Sequence, residues 1–161
     1  MFASSSIKFY QNLRYNTLVK KTSQVIDIKS FKKKKNRLYL IEIRNIYSLK
    51  NKHLLEEKQK IAFIKNDYLS KRNRIFNFEN QIFICKMKYK LNNIILFRYS
   101  ALTYNSHRIH YDVEYVRKYE KYKNLLVQGP LLANIIIDNI QNKFQINLQE
   151  FIFKIYKPIF V

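Results

Sequence analysis

Of 161 residues, one is glycine, two are proline, one is cysteine and none is tryptophan. The lone thiol, Cys85, excludes an internal disulfide framework and a cysteine-built zinc site, so cysteine usage gives no reason to place the chain in an oxidising compartment. A cytoplasmic setting fits, or the mitochondrial matrix in a eukaryote. No apolar run reaches the ~18 to 20 residues that a membrane-spanning helix needs, and nothing resembles a secretory hydrophobic segment. Acids are scarce as well, with 11 Asp+Glu against 31 Lys+Arg and a formal charge of +20. What the chain does have is 47% apolar and 16% aromatic residues, which is enough to bury a core and unlike a disordered chain.

The +20 invites a nucleic-acid reading, because clustered cations displace counterions from a polyanion. Composition supplies a plainer cause. Lys occurs 23 times and Arg 8, alongside 22 Ile and 17 Asn, the drift of AT-rich coding sequence whatever the function. The charge is also uneven: residues 1 to 98 hold 23 basic and 6 acidic side chains, residues 99 to 161 hold 8 and 5. Chemistry is therefore sought in the balanced part. The acid-free stretch 1 to 26, with Ser4, Ser5, Ser6, Lys8, Arg14, Lys20 and Lys21, also has the composition of an organelle transit peptide.

Residues 22 to 30 and 37 to 47 are β-branched, aromatic and partly alternating, which predicts two strands with Phe31 and Lys32 to Lys35 as their connection. Residues 54 to 66 read mostly as a third strand, and 67 to 81 as a polar linker. Ile82 to Lys90 alternates like a strand. Residues 92 to 102 suit a short helix with Asn92 or Asn93 as cap, and Ile94, Ile95, Phe97, Arg98 and Leu102 near helical spacing. Gly129-Pro130 opens a second helix, because proline in a first turn forfeits no hydrogen bond. Its apolar residues Leu131, Leu132, Ala133, Ile135, Ile136, Ile137 and Ile140 predict burial on most sides. Residues 144 to 157 alternate like a strand.

The stretch 99 to 112 gathers two of the three histidines, His107 and His110, with Asn105, Ser106, Arg108 and Asp112. Imidazole is the side chain best matched to proton transfer near neutral pH. A metal is disfavoured, because no carboxylate or cysteine completes a ligand set around two histidines three residues apart.

The string Arg98-Tyr99-Ser100-Ala101-Leu102-Thr103-Tyr104-Asn105-Ser106-His107-Arg108-Ile109-His110-Tyr111-Asp112, followed by Val127-Gln128-Gly129-Pro130-Leu131, closely resembles the MaoC-like hot-dog dehydratases. It is most similar to the subgroup of mesaconyl- and itaconyl-CoA hydratases and mitochondrial 3-hydroxyacyl-thioester dehydratases. Weaker similarity covers Phe2 to Leu13, Arg37 to Phe63 and Phe151 to Val161. The resemblance implies an α+β double hot dog, each unit an antiparallel sheet wrapped around one helix. Residues 1 to 66 would be part of the first unit and 82 to 161 the second, with 131 to 143 as its central helix. The family's first helix and last strands would lie beyond the two ends, making the double hot dog incomplete.

The same resemblance implies reversible hydration of an enoyl thioester, carried by coenzyme A or an acyl carrier protein, without cofactor or metal. His110 falls on the family's catalytic histidine and moves the proton. Asn105 falls where the wider hydratase motif has aspartate; a carboxamide cannot act as a carboxylate base, so it orients water or the histidine. Gly129, at a helix start, would donate a backbone N–H to the thioester oxygen with no side chain in the way. His107, Arg108 and Asp112 would support the site, Asp112 at the start of a following helix. Hot-dog proteins commonly pair, so a homodimer is expected. The competing readings are a small basic nucleic-acid or ribosome-associated protein, with 13 Tyr and 12 Phe available for stacking, and an inactive remnant of the dehydratase.

Overall fold

The computed structural model describes residues 2–12, 14–33, 36–64 and 87–161. The linker expected at 67 to 81, and with it the boundary between hot-dog units, lies outside the described residues, as do residues 82 to 86 of the strand expected at 82 to 90. Residues 87 to 90 have no regular structure.

The chain divides into two compact units, one formed by Met1–Lys65 with Val127–Ile159, the other by Asn66–Leu126 with Phe160–Val161. The first holds a five-stranded antiparallel sheet. Its strands are β1 (Phe2–Phe9), β2 (Lys20–Lys33), β3 (Asn36–Leu49), β4 (Lys52–Ile64) and, late in the chain, β5 (Glu150–Lys154). They lie in the order β2-β3-β4-β1-β5. All three strands predicted between residues 22 and 66 are present; β2 and β3 are longer than expected, and β4 has the expected length but lies two residues earlier. In particular, Phe31 and Lys32 are not part of the connection but pair with Leu38 and Arg37. Extended β2 backbone spaces its lysines along a solvated edge, so like charges there do not oppose strand pairing. The acid-poor stretch 1 to 26 is likewise built into the sheet, through β1 and the start of β2. β3 and β4 turn at Lys50 and Asn51, both with left-handed φ (46° and 66°), the pair of conformations that matches hairpin twist.

Registers within the sheet are pinned by polar side chains. The Ser23 hydroxyl donates to Asn45 Oδ1 (2.7 Å), the Asn45 amide to Glu57 Oε2 (3.4 Å), and the Ser5 hydroxyl to Glu57 Oε1 (2.8 Å), linking β2, β3, β4 and β1. Ser5 and Asn45 are buried, so a one-residue slip would strand their polar groups away from water. Arg44 donates from Nε (2.9 Å) and Nη2 (3.0 Å) to the buried Glu56 carboxylate. That guanidinium holds Glu56 below the usual carboxylate range.

The helix predicted from Gly129-Pro130 is α3 (Gly129–Phe144), which we number after α1 (Asn93–Leu102) and the one-turn α2 (Val113–Tyr115) of the second unit. α3 differs from expectation in burial: Gly129, Leu131 and Ala133 are buried, while Ile135, Ile136 and Ile137 are half-buried. It also runs through Phe144, and Gln145 ends it in the left-handed conformation (φ 52°). The strand expected over 144 to 157 therefore contracts to Glu150–Lys154, because the first alternating residues are spent on the helix end and its exit.

Gly129 has a steric reason to be glycine. A Cβ there would fall 2.5 Å from Phe2 Cδ1 and 2.9 Å from Ile155 Cδ1, so the side of the backbone left open by the missing side chain is filled by β1 and the residue after β5. Gly129→Ala is expected to destabilise the fold by about 1 to 3 kcal/mol through overpacking. Thermal unfolding followed by circular dichroism checks this; an unchanged midpoint would show that Phe2 and Ile155 yield freely.

Candidate active site

The second unit carries His107 and His110. α1 starts where expected, with Asn92 Oδ1 accepting from the Ile95 N–H (3.0 Å). Its buried face is narrow, made by Leu96 and Ser100, while Ile94, Phe97 and Leu102, noted in the sequence for their helical spacing, are exposed. The helix ends through two crossed bonds, Tyr104 N–H to the Ala101 carbonyl (3.3 Å) and Asn105 N–H to the Ser100 carbonyl (2.8 Å), with Tyr104 left-handed (φ 52°).

From there the chain is held turn by turn. Asn105 Oδ1 accepts from the His107 N–H (3.1 Å), an Asx turn that leaves the carboxamide nitrogen to point elsewhere. The Tyr111 hydroxyl donates to the Ser106 carbonyl (2.8 Å). Arg108–His110 forms a single 3-10 turn, which puts His107 and His110 on one side of it. Their rings stand at 85° with centroids 5.7 Å apart.

Arg108 and Asp112 form the brace behind this turn. Arg108 donates to Asp112 Oδ2 from Nη2 (2.7 Å) and Nε (3.1 Å), and its guanidinium lies 4.3 Å from the centre of the Tyr115 ring. Asp112 Oδ1 accepts from the Tyr115 N–H (2.9 Å), capping α2, so one carboxylate ties the turn to the helix that follows. The Tyr115 N–H and then the Arg108 guanidinium hold Asp112 below its ordinary range. Both residues are therefore occupied in holding the loop.

His110 is buried, at 7% exposure, and its Nδ1 lies 2.8 Å from the Leu126 carbonyl oxygen. A carbonyl only accepts, so Nδ1 carries the hydrogen and the neutral ring presents a lone pair at Nε2. The Leu126 N–H donates in turn to the Ile109 carbonyl (3.0 Å), so residue 126 is fixed against the backbone that carries the histidine. Burial pushes the His110 imidazole below its usual 6.5; the Leu126 carbonyl opposes this and the neighbouring His107 adds to it. Burial also lowers His107, with Glu120 opposing.

Asn105, His107, Arg108, His110 and Asp112 thus share one loop system, while Gly129 belongs to the other unit, three residues along the chain from Leu126. Leu126 is the contributor that sequence reasoning misses. Its part is played by a backbone carbonyl, which any residue supplies, so no side-chain signal marks it. Among the described residues no three His, Cys, Asp or Glu side chains gather as a metal-ligand cluster.

An antiparallel sheet with a glycine-opened helix packed on it, in a chain that also carries a loop holding a buried one-tautomer histidine, is the hot-dog class of α+β protein. Solved structures agree on that fold. HtdX of Mycobacterium tuberculosis superposes with a TM-score of 0.74 at 11% identity over 100% of this chain and 59% of that one. A MaoC-like dehydratase of Phytophthora capsici gives 0.70 at 16% identity over 99% and 55%. The family model for hydroxyacyl-thioester dehydratase type 2 matches residues 1–161, and the chain belongs to that family.

Two curated relatives are similar to part of the chain. The mitochondrial hydroxyacyl-thioester dehydratase type 2 of Schizosaccharomyces pombe is 38% identical over 71 residues, 42% of this chain and 24% of the relative. The mesaconyl-C(4)-CoA hydratase of Chloroflexus aurantiacus is 41% identical over 66 residues, 41% of this chain and 24% of the relative. The matched segment spans about a quarter of either relative's length.

Proposed function

We propose that the chain catalyses reversible hydration of an enoyl thioester to a 3-hydroxyacyl thioester, with His110 as the acid–base group. The observation that carries the reading is the buried imidazole held at Nδ1 by the Leu126 carbonyl, which leaves a basic Nε2 at neutral pH. In hydration, Nε2 takes a proton from water as the water oxygen bonds to the β-carbon, and the α-carbon regains a proton from the imidazolium. Dehydration is the same path reversed. Asn105, its carbonyl oxygen engaged by the His107 N–H, offers amide hydrogens that orient the water.

Family membership and two partial relatives, one named a dehydratase and one a hydratase, support the thioester as substrate class. Coenzyme A is the carrier we favour, since one relative's name specifies it. The test is loss of enoyl-thioester absorbance when the purified chain meets crotonyl-CoA. A steady decline proportional to enzyme supports the reading. No decline, combined with salt-dependent RNA binding, would replace it with the basic nucleic-acid protein that the charge of +20 suggests.

A further inference from the structure

Six described residues other than glycine have positive φ: Asn16, Lys50, Asn51, Tyr104, Lys121 and Gln145. Five of them are Asn, Lys or Gln, as expected of a chain with one glycine to spend on turns. Tyr104 is the aromatic exception. Its left-handed backbone is demanded by the way α1 ends, since the residue that donates to the Ala101 carbonyl while its successor donates to Ser100 is ordinarily glycine. A bulky side chain there is disfavoured by its own Cβ.

Packing does not repay that strain. The Tyr104 side chain is 95% exposed, and among the described residues its ring meets no other ring or cation and its hydroxyl makes no hydrogen bond. The local fold would be served as well by asparagine, which tolerates this conformation and hides no apolar surface from water. A strained, unrewarded aromatic immediately before Asn105 is the pattern of a residue kept for a ligand.

We infer that Tyr104 is a ligand-contacting residue whose ring packs on the apolar carbons flanking the thioester. The inference rests on the proposed function. Tyr104 directly precedes Asn105, with Cα atoms about 3.8 Å apart, and its exposed ring is long enough to extend to a ligand held at the Asn105 carboxamide. That limits the contact to the acyl carbons and the near end of the thiol arm, and leaves the distant nucleotide of coenzyme A to other residues.

Two variants separate ring from backbone. Tyr104→Asn keeps the left-handed turn and removes the ring, whereas Tyr104→Phe keeps the ring. Binding of butyryl-CoA, a saturated thioester that cannot be hydrated, is measured by calorimetry beside thermal unfolding of each protein. The expected result is that Tyr104→Asn melts at or above the parent temperature yet binds about tenfold more weakly, with Tyr104→Phe within about twofold of the parent. Equal binding by the Asn variant and the parent would overturn the inference alone, as would a Phe variant as weak as the Asn one. A parent that binds no butyryl-CoA would overturn the thioester reading and take the inference with it.

Discussion

Replacing His110 by alanine is expected to lower the rate of crotonyl-CoA hydration roughly a thousandfold, the middle of the range that a positioned acid–base group contributes. Alanine also removes the ring from a buried position and leaves the Leu126 carbonyl without its donor, so some loss of stability accompanies the loss of rate. His110→Asn separates the two effects. The asparagine Nδ2 sits near the place of the imidazole Nδ1 and still donates to the Leu126 oxygen, but nothing takes the place of Nε2. The Asn variant is therefore expected to melt closer to the parent than the Ala variant while being as inactive. If His110→Asn retains more than about a tenth of the parent rate, proton transfer does not run through Nε2.

The parts of this fold that are legible in the amino-acid sequence are those encoded by side-chain periodicity and by proline. β2, β3 and β4 alternate, and Pro130 marks a helix start to within a residue. Where backbone conformation decides the outcome, the signal fails. Gln145 ends α3 in a left-handed conformation without glycine, so that helix end is unpunctuated and the strand expected from Phe144 is overextended, whereas α1 ends at Leu102 as read. Helical spacing in α1 does not tell which side is buried, because burial there follows tertiary neighbours: Leu96 is fully buried, while Phe97 beside it is exposed.

The site shows the same division. Histidine, asparagine and the Arg108–Asp112 pair are visible as residue types suited to proton transfer and support, and the structure brings all of them onto one loop system. The tautomer is invisible in sequence, because it depends on a carbonyl sixteen residues away that any amino acid supplies. Gly129 reads in sequence as leaving room for substrate, yet the atoms nearest its missing Cβ belong to Phe2 and Ile155. A single glycine in a chain this poor in glycine has more than one physical reason to exist, and sequence offers no means of ranking them.

Acid should act on this protein twice through one proton. Burial holds His110 below its ordinary 6.5, with His107 adding to the effect and the Leu126 carbonyl opposing it. The base is thus neutral at pH 7, and hydration should run level through neutrality and fall only on the acid side, with a midpoint below 6.5 and about tenfold per pH unit beyond it. Stability follows the same group with a determined sign. The unfolded chain takes up this proton at about 6.5 and the folded chain resists it, so the contribution is fully present above 6.5. It is lost as pH falls from there toward the lowered folded value, at no more than about 1.4 kcal/mol per pH unit for one histidine. His107, lowered by burial against the opposing Glu120, adds a smaller slope of the same sign because it is more exposed. Thermal midpoints from pH 8 to pH 5 should therefore decline more steeply in the parent than in His110→Asn, which has no proton to take up at that position. Parallel slopes would mean that folding leaves the proton affinity of His110 unchanged, against the lowering that burial imposes. A rate midpoint above 6.5, or a shallower decline in the parent, would mean that His110 carries its proton more readily in the fold than in water, and the assignment of a neutral base at residue 110 would fall.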